Sequence, residues 1–261
     1  MNSFATPQYN RETSTPLPFS RVHDKQPLAE DLYSRMFDAI LDQRIAPASR
    51  FTEESLGQMF GASRSPVRQV LIRLSHEQVV VLRPNHRPQV AAPSFEHTRQ
   101  ILHARRLTET TLIELACQQN QPDALTVLRK RIEEHRQYLE AGQRGPAIRL
   151  SGEFHLQLAK MAGNAPLANF LGSLVPQSSL AIAQHAASAQ IDCSWQRHAA
   201  IVDALECTDT RSAVHLMTQL LVELEQRLAS AQQNAQASAV ALANAMDNTS
   251  GNVLSTACNR A

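Results

Sequence analysis

The feature that most restricts how this chain can fold is the tripeptide Gly61-Ala62-Ser63, set between two short stretches that each carry a narrow apolar stripe. Glycine there lets the backbone reverse within one tight turn. Upstream, Thr52 is placed to cap a helix whose first turn holds Glu53 and Glu54, where the macrodipole favours acids, with Leu56, Met59 and Phe60 facing inward. Downstream, Ser65 is a hydroxyl cap candidate followed by Pro66 at the first helical position, where a missing N–H costs little. Val67, Val70, Leu71 and Leu74 then fall at i, i+3, i+4 and i+7, leaving Arg64, Ser65, Arg68, Gln69 and Ile72 largely off the buried stripe. A short helix with guanidinium and hydroxyl groups at its exposed N-terminal end suits the major groove of DNA, where phosphates and guanine edges accept hydrogen bonds.

After this helix the period changes. Val79-Val80-Val81-Leu82 and Gln89-Val90-Ala91 are short β-prone runs separated by Arg83-Pro84-Asn85-His86-Arg87-Pro88, which reads as a hairpin with a basic tip. Such a wing lies along the minor groove or the backbone, so Arg83, Asn85, His86 and Arg87 join the candidate DNA contacts. From Gly61 to Val90 there are five arginines against one acid, Glu77, although the whole chain carries a formal charge of only +1. The basic island, not the global balance, points to nucleic acid. Only three of the 25 basic residues are lysines, and arginine is the better bidentate partner for phosphate and guanine; genomic base composition can produce the same bias.

At 261 residues and 43% hydrophobic content the chain can bury a sizeable core, and we divide it into two folded units. Residues 1–26, rich in Pro, Ser, Thr, Asn and Gln, read as a disordered N-terminal arm. Residues 27–93 hold the DNA-binding domain, beginning with a helix from Leu28 to Gln43 that Ile45-Ala46-Pro47 ends. Residues 94–230 are helical throughout, with expected helices at about Phe95–Gln118, Asp123–Ala141, Pro146–Ala162, Pro166–Ala187, Cys193–Leu205 and Thr208–Ser230. Such a bundle can enclose a cavity. Residues 231–261, with few large apolar side chains, read as a frayed helix passing into a disordered tail. The fold class is therefore mainly α: an N-terminal winged helix–turn–helix with a small β-hairpin wing, and a C-terminal all-α bundle. Cys117, Cys193, Cys207 and Cys258 form no metal or disulfide framework, no apolar run reaches membrane-spanning length, and residues 1–27 lack the apolar core of a signal peptide. A cytoplasmic protein with reduced thiols and no membrane contact is expected.

The stretch R-F-T-E-E-S-L-G-Q-M-F-G-A-S-R-S-P-V-R-Q-V-L at 50 to 71 resembles the R-L-x-E-x-x-L-A-x-x-x-G-V-S-R-T-P-V-R-E-A-L of the GntR-type transcription regulators. Three later segments resemble the FadR branch of that family: A-R-R-L-T-E at 104 to 109, F-H-L-Q-L-A-K-M-A-G-N at 154 to 164, and H-A-A-I-V-D-A-L at 198 to 205. The resemblance covers about Pro27 to Ser230. It implies a homodimer that binds a palindromic operator in double-stranded DNA, usually as a repressor, and releases it when a small effector, often an organic acid, enters the helical domain. Ser63, Arg64, Ser65 and Arg68 fall on the family's DNA contacts, and Gln69 lies on the same face. Arg50 fits the motif too, either as a contact or as a structural arginine paired with Glu53 or Glu54. The wing departs from the pattern: the family has glycine where this chain has Arg87-Pro88, and again where it has Gln78, so the wing is expected to be stiffer or differently aimed.

Many members of the branch hold a divalent metal with an aspartate, the histidine four residues later, and two further histidines. In this chain those positions are Ser151, His155, His198 and Leu220, while His215 points elsewhere. A hydroxyl is a poor ligand and leucine none, so no metal is expected; were one bound, His155 and His198 would hold it. Arg105, Ser151, His155 and His198 can instead bind a carboxylate or phenolic effector by charge and hydrogen bonds. Each histidine can equally be a satisfied core residue, and Arg105 can pair with Glu109 on its own helix face. Two other functions stay open: a dimeric DNA-binding protein that has lost ligand response, and a helical metal enzyme using His155 and His198, which lacks a paired carboxylate or nucleophile elbow.

Overall fold

The computed structural model describes residues 25–119, 121–185 and 194–257. Residues 1–24 of the expected arm, and 258–261, lie outside the described residues. The chain opens with α1 (Lys25–Leu41), α2 (Glu53–Phe60) and α3 (Arg64–His76), followed by β1 (Val80–Val81) and β2 (Gln89–Val90). The two strands are antiparallel, with Val80 opposite Val90 and Val81 opposite Gln89, and Arg50 forms an isolated bridge to Gln89.

The helix–turn–helix is fixed by its ends. Thr52 and Ser55 form a reciprocal capping box at the start of α2, and Gly61 closes it in the left-handed conformation at φ 66°. Two details differ from the sequence reading. The cap of α3 is Ser63, with extended backbone and no side-chain cap bond, rather than Ser65. Pro66 is therefore the third helical residue, still within the first turn, where its missing N–H leaves no gap. Met59, expected to face inward, is 56% exposed, because the short α2 buries only Leu56 and Phe60 on one line.

Before β1 and at the wing tip the backbone turns left-handed at Gln78 (φ 58°) and Asn85 (φ 60°). Gln78 is one of the two positions where the family carries glycine, and the backbone shows why. At the wing tip the left-handed residue is Asn85, a side chain that tolerates this conformation.

The bundle comprises α4 (Phe95–Cys117), α5 (Pro122–Glu140), α6 (Arg144–Met161), α7 (Ala165–His185), α8 (Ser194–Glu206) and α9 (Thr210–Ala257). Each described end lies within two residues of expectation except the last. The expected end near Ser230, with a disordered tail from 231, is corrected by α9, which runs to Ala257. Low hydrophobicity argued against packing there, but the segment is rich in alanine and free of proline, and intrinsic propensity carries the helix.

Two cores form. The first gathers Leu32, Met36, Phe37 and Ile40 of α1 with Leu56, Leu71, Leu74 and Val90, and continues into Ile148 of α6 and Leu180 and Ala183 of α7. The second lies inside the bundle around Leu112, Leu128, Phe154, Leu158, Ile201 and Met217. Polar contacts reinforce the seam between the halves. Arg149 donates to both carboxylate oxygens of Asp38 at 2.7 and 3.2 Å, Asp42 accepts the backbone N–H of Gly145, and Gln43 and Arg144 donate to the Ala183 carbonyl. A Cβ on Gly145 would lie 2.5 Å from the Asp38 carbonyl oxygen, so helices α1 and α6 touch backbone to backbone there. Among the described residues no helix is long and apolar enough to cross a membrane.

Candidate nucleic-acid interface and effector cavity

All ten sequence-predicted DNA contacts, Arg50, Ser63, Arg64, Ser65, Arg68, Gln69, Arg83, Asn85, His86 and Arg87, are exposed. Arg64 shares one surface groove with Asn85, His86 and Arg87 of the wing, and the bridge to Gln89 sets Arg50 beside β2. The N-terminal end of α3 and the wing tip thus meet along one groove, which Glu53 and Glu54 also line.

The two acids of this groove pair with arginines of α3. Glu53 meets Arg68, with Nε to Oε1 at 2.8 Å and Nη2 to Oε2 at 3.0 Å, and Glu54 meets Arg64 at 3.1 Å. Neither acid is taken by Arg50, so the structural-arginine alternative for Arg50 loses its proposed partners. Hydrogen bonding to Arg68 draws the Glu53 carboxyl below its ordinary range. Behind the face, Arg73 ties α3 to α1: its guanidinium carbon lies 3.6 Å from the Tyr33 ring centroid and it pairs with Glu30, while the Tyr33 hydroxyl donates to Glu77.

In the bundle, the four positions that the resemblance assigns to the branch's metal set, Ser151, His155, His198 and Leu220, line one small cavity of about 70 Å³ together with Arg105. The resemblance implied that these residues share one site, and here they line the same cavity, while His215 is exposed on α9. Arg105, 2% exposed, donates to Glu109 at 2.7 Å and to the Ser178 hydroxyl at 2.8 Å. The other Glu109 oxygen accepts from His155 Nδ1. A carboxylate only accepts, so that nitrogen carries the proton and Nε2 keeps a lone pair.

Burial would raise the Glu109 carboxyl, but the guanidinium of Arg105 beside it, with His155, outweighs this and holds it at about 2. Burial lowers His155 and overcomes the attraction of Glu109, so its imidazole is neutral at neutral pH. Burial also sends His198 well below the ordinary imidazole range, with His155, His135 and Arg105 adding to the effect.

Sequence reasoning missed two members of this cluster. Glu109 was seen only as a partner for Arg105, whereas it anchors His155 as well. His135 of α5, 1% exposed, has its ring 5.8 Å from that of His198 and is lowered to about 4, first by burial and then by His155. The signal was present: His135 continues the line of Leu128 and Ile132, a polar residue on an otherwise apolar stripe.

Four buried nitrogens of this cluster have no partner among the described residues: Arg105 Nη2, His135 Nδ1 and both ring nitrogens of His198, whose ring stacks on Phe154 at 4.0 Å. Groups of that kind are costly unless something completes them. The donor set does not fit a divalent ion. Ser151 and Leu220 supply no charged ligand, both Glu109 oxygens are engaged, and the Arg105 guanidinium adds positive charge to the wall. Among the described residues no group of three or more His, Cys, Asp or Glu is arranged to hold a metal.

A winged helix–turn–helix joined to a cavity-bearing helical bundle defines a ligand-domain transcription regulator, and the comparisons agree. Residues 28–90 match the family model described as bacterial regulatory proteins, gntR family, and residues 100–223 match the FCD domain. The chain belongs to the GntR family of transcription regulators, in the branch with an FCD domain. It is 26% identical over 140 residues to the uncharacterized HTH-type transcriptional regulator YdhC of Bacillus subtilis, covering 53% of this chain and 62% of that protein. It is 22% identical over 218 residues to the HTH-type transcriptional repressor RspR of Escherichia coli, covering 82% and 94%. The structure resembles McbR/YncC of E. coli, with a TM-score of 0.64, 18% identity, and coverage of 80% and 98%, which supports the fold.

Proposed function

We propose that this regulator is a homodimeric, cytoplasmic repressor with no catalytic activity, which binds a palindromic operator in double-stranded DNA and answers to an organic acid in the bundle cavity. The observation that carries the DNA half is the groove in which Arg64, at the N-terminal end of α3, meets Asn85, His86 and Arg87 of the wing. Arg64, Ser65, Arg68 and Gln69 read the major groove, Ser63 and Arg50 hold the backbone, and Arg83, Asn85, His86 and Arg87 lie against the adjacent phosphates or minor groove. The repressor assignment leans on the likeness to RspR.

The effector half rests on Arg105 Nη2 and the nitrogens of His198, buried and unpartnered beside Ser151 and His155. A carboxylate would accept from Arg105 Nη2 and from the one ring N–H of neutral His198, without a metal. Selection of a binding sequence from random DNA with the full chain tests the first half. One inverted repeat should be enriched, and Arg64→Ala should abolish its recognition while the dimer persists; an enriched site bound equally by Arg64→Ala sinks the assignment. Thermal shift with a panel of organic acids tests the second, and no shift with any of them in the wild type counts against a live cavity.

A further inference from the structure

Helix α6 forms a wall shared by the cavity and the DNA-binding half. Ser151 and His155 line the cavity, while Arg149 and Glu153 sit roughly half a helical circumference away and face α1 and α5. Arg149 forks onto Asp38 of α1, its remaining nitrogen is held by Glu153 at 2.6 Å, and Glu153 in turn binds Arg131 of α5 at 2.8 Å. The side chains of Asp38 and Arg149 are 12% and 13% exposed. The start of α6 is seated on α1 through Asp42 and Gly145, and α1 is tied to α3 through Tyr33, Glu77, Arg73 and Glu30. On the cavity side, a methyl group at Gly152 would lie 2.8 Å from Val175 Cγ1, so α6 has no slack toward α7.

We propose that the Asp38–Arg149 pair is the positioning element that couples the cavity to the DNA-reading face, an inference that rests on reading the cavity as the effector site. A half-buried ion pair adds little stability over an apolar contact, but it discriminates sharply between relative orientations of the helices that carry it. A ligand drawn against Ser151 and His155 pulls on α6 from the face opposite Arg149. The displacement then reaches α1 through the fork, and α3 through the Tyr33 and Arg73 contacts. Coupling between two sites is reciprocal, so operator binding must register in α6 even when no effector is present.

Hydrogen exchange across α6 tests this in the full chain, with and without an operator selected from random DNA. Wild type is compared with the double variant Asp38→Asn/Arg149→Met, which leaves no orphan charge. The expected result is that operator binding changes exchange of the wild-type amides around Ser151 to His155 by about tenfold, read as a shift in their local opening equilibrium. In the double variant the operator is still bound, within about threefold in Kd, and the α6 change is lost. An α6 response that persists in the double variant overturns the proposal, as does a wild type that binds the operator with α6 silent. Should the double variant fail to fold, Arg149→Lys keeps the charge and loses the fork, and an undiminished α6 response in it overturns the proposal equally. If no sequence is enriched at all, the DNA-binding reading falls with the coupling. If α6 responds to operator but no organic acid shifts the melting temperature, the effector reading alone fails.

Discussion

Arg68 and Glu53 meet fork to fork, two parallel hydrogen bonds joining the exposed face of α3 to the first turn of α2. The side chain of Arg68 is 67% exposed and that of Glu53 26%, so the acid is the more fixed partner and presents the guanidinium outward. Solvent screens such a pair and it does little for stability; its consequence is geometric. We expect Arg68→Ala to weaken operator binding about ten- to a hundredfold and to relax preference at one base pair per half-site. The melting temperature should stay unchanged. Anisotropy titrations against operator and point-substituted duplexes check this, and equal losses on every duplex would reassign Arg68 to phosphate.

Gln78 turns left-handed immediately before β1, at a cost that glycine does not bear. Gln78→Gly should therefore raise stability by about 0.5–1 kcal/mol, less what the unfolded chain gains in freedom. Urea unfolding at neutral pH would show it; a destabilised variant would mean that the Gln78 side chain makes a compensating contact.

His198 keeps two ring nitrogens unpartnered against the face of Phe154. His198→Phe keeps a stacked ring and removes both polar atoms, so the effector-free protein should gain about 1–3 kcal/mol, the usual cost of buried unsatisfied groups. The same variant should lose its thermal shift with any organic acid that stabilises the wild type. A drop in melting temperature would show that the nitrogens are satisfied in solution.

Acidification acts on the same cluster. His135 is held near 4 in the fold against about 6.5 in an unfolded chain, so between these values the unfolded state binds a proton that the folded state refuses. Stability is complete above about pH 6.5 and falls as pH drops toward 4, by on the order of 3 kcal/mol from His135 alone. His155 and His198 shift in the same direction and steepen the loss. Unfolding free energies measured from pH 7 to pH 4.5 should show this slope, and His135→Phe should flatten it. An unchanged slope in that variant would place the titration elsewhere.

Ser151 and Leu220 stand where the branch places an aspartate and a histidine, and both line the cavity with His155 and His198. Wild-type protein purified without chelator should carry no stoichiometric divalent ion. The pair Ser151→Asp and Leu220→His restores one anionic and one imidazole ligand, and should bind about one zinc per chain. Metal analysis of the two proteins decides it, and a tightly bound ion in the wild type would overturn the metal-free reading.

Much of the fold could be read from local signals. The stripe Val67, Val70, Leu71, Leu74 and the glycine at 61 located the helix–turn–helix, and breaks such as Gly163-Asn164-Ala165 located the bundle helices, because both depend on short-range periodicity and turn chemistry. The wing residues were also legible, since a basic run between β-prone stretches has few other uses. What escaped depends on distance in the fold. The pairing of Glu53 with Arg68 rather than Arg50 is set by the angle between α2 and α3, and the dual use of Glu109 is set by the crossing of α4 and α6. His135 was overlooked because nothing in its own helix says what it faces. Hydrophobicity misled at the C-terminal end, where it was weighed above the helix preference of alanine.

The backbone contact at Gly145 makes the boundary near residue 94 a boundary in the sequence only. The first turn of α6 is capped by Asp42, and Ile148 is buried with the residues of α1, so each half supplies part of the other's surface. A bundle expressed alone would expose an uncapped helix start and an apolar strip. A chimera carrying another DNA-binding domain would need a side chain like Asp42, and a helix that can come that close, before its two parts could act as one molecule.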